Sequence, residues 1–143
     1  MSGFLGNYVH QIDGKGRLSL PAAFRREAPE GPLVLVQVHE GALTLYPEAA
    51  WALVEERLSD LLRRQPQSRA YVLGVTANAV ETVPDKQGRI LIPQRLLNAI
   101  GLKDAAVVAG MIDRIEVWEP QRFDETVEAG AADGSIYAGQ IFA

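Results

Sequence analysis

A nine-residue string occurs twice in this chain. Asp13-Gly-Lys-Gly-Arg17-Leu-Ser-Leu-Pro21 returns as Asp85-Lys-Gln-Gly-Arg89-Ile-Leu-Ile-Pro93, with Asp, Gly, Arg and Pro identical and Leu18/Ile90 and Leu20/Ile92 conservative. Continued without a gap, the same offset of 72 residues pairs Val36 with Val108, Leu43 with Ile115, Tyr46 with Trp118 and Trp51 with Phe123. A tandem duplication follows, with units over 7–50 and 79–122, a connecting helix and linker over 51–78, and a helix end and tail over 123–143. A unit of about 44 residues is too short to build a sufficient core alone. The two halves are therefore expected to interleave their strands as a pseudo-dimer, one β-rich domain with peripheral helices.

Each half has the same coarse reading. A mixed apolar and polar stretch (Tyr8 to Ile12; Val80 to Val83) runs into a Gly-containing turn, and a short alternating strand begins at Arg17 or Arg89. The two-residue period puts Leu18 and Leu20 on one face, and likewise Ile90 and Ile92, leaving Arg17 and Arg89 on the other. Pro21 and Pro93 suit the first position of a short helix, closed by Pro29–Gly31 or by Gly101. Strand pairs follow at 33–38 with 43–46 and at 105–109 with 115–118, turning at Gly41 and Asp113. A long helix is started by Pro47, its stripe formed by Trp51, Val54, Leu58 and Leu61, and Pro66 stops it; another is started by Pro120. Residues 67–78 are expected to add one short helical turn, and 130–143 to be irregular.

Charge is unevenly spread. Residues 1–103 carry 12 basic and 10 acidic side chains, whereas 104–143 carry 2 basic and 8 acidic, so the net charge of −4 conceals local patches. No run approaches the roughly 20 apolar residues of a membrane span, and no basic segment followed by an apolar run marks a secretory leader. A cytoplasmic protein without a membrane partner is the expectation. The absence of cysteine excludes disulfides, thiolate metal sites and thiol nucleophiles. His10 and His39 lack the spacing of metal ligands or of a catalytic base with its partner. Glu116, Glu119, Asp124, Glu125 and Glu128 read as a solvated helical face. No catalytic residue, metal site, cofactor or small-molecule substrate is expected.

The doubled Asp-x-x-Gly-Arg motif, the Pro four residues after each Arg, and the Leu45-Tyr-Pro…Trp51 segment resemble the MraZ family of bacterial transcriptional regulators. The resemblance runs from Phe4 to about Val127. It implies a mixed α/β, β-rich fold in which tandem AbrB-like (SpoVT-AbrB) swapped-hairpin units interleave into a pseudo-dimeric β-barrel. It further implies a nucleoid-associated DNA-binding repressor or regulator. Such a protein binds direct repeats in the promoter of its own division and cell-wall operon and assembles into a homo-oligomeric ring. Its partners would be double-stranded DNA and further copies of itself. The alternative is an antitoxin-like or structural protein-binding oligomer.

Candidate DNA contacts are Lys15, Arg17, Arg25 and Arg26 around the first hairpin and Lys86 and Arg89 around the second, where Arg95 adds charge. A two-stranded ribbon fits a major groove, and Arg can meet guanine O6 and N7 bidentately. Asp13 and Asp85 read as turn formers, with Gly16 and Gly88 supplying backbone conformations closed to other residues. Arg17 and Arg89 have a second reading, pairing with those aspartates to hold the fold. Lys15 has Gln87 as its counterpart, with Lys86 one place earlier, which implies a second loop that binds more weakly or serves mainly the fold. Tyr46, Trp51 and Trp118 read as core or interface residues.

Overall fold

The computed structural model describes residues 3–142. Their order is β1 (Asn7–Gln11), β2 (Arg17–Ser19), α1 (Ala22–Glu27), β3 (Leu33–His39), β4 (Ala42–Pro47) and α2 (Glu48–Arg64). A 3₁₀ turn (Pro66–Ser68) then leads to α3 (Arg69–Asn78), β5 (Val80–Thr82), β6 (Arg89–Leu91), α4 (Gln94–Ala99), β7 (Ala105–Met111), β8 (Arg114–Trp118), α5 (Pro120–Ala131) and α6 (Gly134–Ile141).

Six strands form one antiparallel sheet in the order β1-β7-β8-β4-β3-β5, and β2 pairs with β6 as a separate ribbon. Strand pairing between the halves is reciprocal. β1 of the first half pairs with β7 of the second, β5 of the second with β3 of the first, and β4 with β8. The chain is thus a mixed α/β fold with a mostly antiparallel sheet. The expected barrel closure is not part of the strand pairing among the described residues: His10 of β1 reaches β2 through its side chain, and the backbone bridge just past β1, Ile12 to Leu18, is isolated. The repeat places Pro84 and Ile90 at the corresponding positions, and Pro84 has no N–H with which to bond.

The ungapped offset fails inside one strand. Leu33 and Leu35 join the inner core as Ala106 and Val108 do, and Leu33 opposite Thr82 corresponds to Ala106 opposite His10. The match has moved one residue along. A β-bulge between Val36 and His39, which β7 lacks, absorbs the extra residue, so Leu43 and Ile115 correspond again. Val36 therefore faces away from the core that holds Val108.

The sheet is covered on both sides. Its inner face meets the ribbon and the two short helices through Leu18, Leu20, Phe24, Ile90, Ile92 and Leu97, all 3% exposed or less. Over the outer face of β3 and β4, Val34, Val36 and Tyr46 pack against Ala50, Trp51 and Val54 of α2 and against Val75 and Ala79. Burial on both faces explains why β3 is an almost unbroken apolar run. The ring of Trp118 meets Phe123 of α5 edge-on at 6.1 Å.

Three expectations need correction. Residues 69–78 form a ten-residue helix, not one turn: Gly74 and the β-branched residues hide its period, and packing of Val72 and Val75 holds it. Residues 134–141 are helical, although each of them is exposed. Glu116 lies on β8, accepting the Trp118 indole N–H at 3.0 Å, and Glu119 caps α5 through the Gln121 and Arg122 amides.

Candidate nucleic-acid interface

The two Asp-x-x-Gly-Arg turns are built alike. Asp13 Oδ1 accepts the backbone N–H groups of Lys15 and Arg17, both at 2.9 Å, while Arg17 Nε donates to Oδ2 at 2.6 Å. Asp85 repeats this with the N–H groups of Gln87 and Arg89 and with Arg89 Nε, all at 2.9 Å. Gly16 and Gly88 take φ of +84° and +77°, in the left-handed region. The Arg17 backbone N–H, with the Arg17 guanidinium and the Lys15 amide, holds the Asp13 carboxyl down at about 2. The same contacts from Arg89 and Gln87 lower that of Asp85.

Pairing with aspartate and pointing outward coexist. The aspartates use only the Nε of each arginine, so among the described residues both Nη groups of Arg17 and Arg89 remain without hydrogen-bond partners. A guanidinium fixed at one nitrogen with its outer donors open is prepared for a planar acceptor pair.

The ribbon then brings the two motifs together. Arg17 stands opposite Leu91 and Ser19 opposite Arg89, with Leu18 and Ile90 buried beneath. The outward face is therefore Arg17, Ser19, Arg89 and Leu91, the last 55% exposed. The two arginines are diagonal neighbours, about 7–8 Å apart in such a ladder. Reciprocal bonds from Leu20 N–H to Gly88 O and from Ile92 N–H to Gly16 O lock one turn at each end, 2.9 Å each. Four residue steps separate the turns along the ribbon, about 13 Å at the usual rise.

Exposed Lys15 marks one end and exposed Lys86 the other. Arg25, counted with the first hairpin by sequence position, lies at the second: its Nη1 donates to Gln87 O at 3.3 Å, across 62 residues. Five cations and two aspartates leave this surface at +3. Arg26 is exposed on α1 with no hydrogen bond or ion pair to either turn among the described residues. Arg95 turns toward α3, donating to the Asn78 side-chain oxygen at 3.3 Å. Sequence reasoning passed over Ser19 and Leu91; strict two-residue alternation with the arginines would have found both. His10 joins the edge strand to the ribbon, its Nδ1 2.6 Å from Ser19 O.

A family model described as "MraZ protein, putative antitoxin-like" matches residues 4–73 and again 75–136. A protein of Thermomicrobium roseum named transcriptional regulator MraZ is 40% identical over 138 residues, covering 96% of each chain. Its namesake from Pediococcus pentosaceus is 39% identical over 125 residues, 87% of each chain. One from Desulfitobacterium hafniense is 38% identical, covering 95% of this chain and 99% of its own. A solution structure from Pyrococcus horikoshii aligns over 82% of this chain and 96% of its own at 14% identity, with a TM-score of 0.36.

Proposed function

The chain belongs to the MraZ family, and we propose that it is a sequence-specific DNA-binding transcriptional regulator that reads duplex DNA through the β2–β6 ribbon. One observation carries the reading: Arg17 and Arg89, each oriented by its own aspartate, share one outward face with Lys15 and Lys86 at its ends. The span of about 13 Å between the turns matches a major groove about 12 Å wide. Lys15, Lys86, Arg25 and Arg26 supply phosphate contacts, and Arg17 and Arg89 supply base readout. Asp13, Gly16, Asp85 and Gly88 hold the turns. Names given to relatives at 38–40% identity support the regulatory role.

The same proposal includes units at 7–50 and 79–122, joined by 51–78 and followed by 123–143. It includes their pseudo-dimeric, barrel-like arrangement, supported by the reciprocal strand exchange. It includes repression of the protein's own division and cell-wall operon through direct repeats, in the cytoplasm at the nucleoid. It includes a homo-oligomeric ring as well. Direct repeats suit head-to-tail neighbours, which share an orientation. Ile136, Tyr137, Ile141 and Phe142, each more than half exposed, are available for such contacts, whereas part of the α2 stripe is spent within the chain.

Selection of bound fragments from a random DNA pool tests the reading. The wild type enriches a repeated motif, and Arg17→Ala and Lys15→Ala lose specific binding with the melting transition kept. Each lost bidentate arginine costs about 1–3 kcal/mol. Retention of full affinity by both variants would refute the assignment.

A further inference from the structure

The side chains that pack against the two turn glycines are mirrored in position but not in type. Leu97, the counterpart of Arg25 at an offset of 72, lies against Gly16: a Cβ on that glycine would stand 3.6 Å from Leu97 Cδ1. Arg25 lies in the same way against Gly88, where a Cβ would stand 2.6 Å from its Nη1 and 2.9 Å from its Nε. Both sites adjoin a buried glycine, and leucine meets the packing requirement at one of them. Arginine at the other brings charge that packing does not need.

The turn it covers is the one short of a cation at the corresponding place, since Gln87 stands where the first turn has Lys15. Arg25 is exposed, makes no ion pair among the described residues, and uses Nη1 on the Gln87 carbonyl. A guanidinium has five N–H donors, so most of them have no partner among the described residues. Arg25 and Lys86 line one open groove of about 380 Å³ beside the second turn.

We infer that Arg25, carried by a helix of the first half, is a DNA-phosphate contact of the second half's turn beside Lys86, filling there the role that Lys15 fills at the first. The inference rests on the reading of the ribbon as a DNA site. It makes the second turn a full contact, not the weaker one its own residues suggest, and makes it depend on both halves of the chain.

The test measures affinity of the full-length protein for a labelled random-sequence duplex across a salt series. Arg25→Leu installs the residue found at the mirrored site. It is expected to bind about as weakly as Lys15→Ala, with the log–log salt slope reduced by about 0.9 for each engaged chain. Adding Gln87→Lys to Arg25→Leu returns a cation to the turn and is expected to restore slope and affinity, which a purely structural role would not allow. Arg25→Gln repeats the measurement if leucine impairs folding. Unchanged binding by Arg25→Leu beside a weakened Lys15→Ala overturns the inference and spares the ribbon. Loss that Gln87→Lys does not restore overturns it too, since Arg25 would then act through shape. Unchanged binding by Lys15→Ala, Arg17→Ala and Arg25→Leu together removes the ribbon reading itself.

Discussion

Asp13 accepts two backbone amides through one carboxylate oxygen and the Arg17 guanidinium through the other, so its charge holds both the turn and the arginine. Protonation weakens all three bonds together, and for that reason the folded state favours the ionised form, with a pKa of about 2 against the usual 3.8. The sign follows from linkage. A depressed carboxyl contributes stability that is complete above pH about 4 and is lost as the pH falls through about 2. Asp85 is lowered for the same reasons, so its turn too is held by the ionised carboxylate and loosens once acid protonates it. Carbon-detected titration should place the Asp13 midpoint near 2, and Arg17→Ala should raise it part of the way, because the backbone amides remain. A midpoint near 4 in the intact protein would show that the bonds are not held in solution. From residue types alone, Asp13 was legible as a turn former and Arg17 as either a DNA contact or its partner. The sequence could not reveal that one geometry satisfies both, because this depends on which guanidinium nitrogen the carboxylate takes.

At the scale of the elements, two glycines of one turn separate backbone demand from mere smallness. Gly16 has φ +84°, and a Cβ there would stand 2.7 Å from Ile92 O, in the strand segment whose N–H bonds back to Gly16 O. Gly14 has nothing within 4 Å and needs no left-handed backbone. Gly16→Ala should cost about 1–2 kcal/mol from its backbone conformation alone, with more from displacing Ile92. Its melting temperature should fall by roughly 3–8 °C, while Gly14→Ala stays within about 0.5 kcal/mol of the wild type. Equal melting temperatures for the two variants would contradict the cross-ribbon lock. Elements with a regular period were legible: the ribbon strands from Leu18/Leu20 and Ile90/Ile92, and α2 from its apolar stripe. The bulge in β3 was not, since a run apolar on both faces has no alternation from which to read register. Nor was α3, held by contacts with β3 and α2 that local propensity does not encode.

For the whole molecule, interleaving was legible in the shortness of the repeat, while the identity of each partner strand was not. The exchange is thorough. Cut off at residue 78, the first half loses β7 beside β1, β5 beside β3, β8 beside β4 and β6 beside β2. Its share of the core, including Leu18, Leu20, Leu35 and Leu45, loses Ile90, Ile92, Val108, Ile115 and Val117 as cover. A monomer of that length is not expected to fold. A second copy can nevertheless offer β3 where β7 stood and another β2 where β6 stood, because the halves are related by reciprocal pairing. The substitution is imperfect, since β3 carries a bulge that β7 lacks and a one-residue slip turns side chains to the wrong face. Residues 1–78 should therefore fold only as a homodimer, less stable than the intact chain and with a melting temperature that rises with concentration. The intact chain should unfold in one cooperative step, because neither half retains a core of its own. Light scattering and circular dichroism over a dilution series decide the matter. A 1–78 fragment that stays folded as a monomer on dilution, or a full-length chain that melts in two steps, would mean that the halves are independent domains and that the strand exchange is not what holds the molecule together.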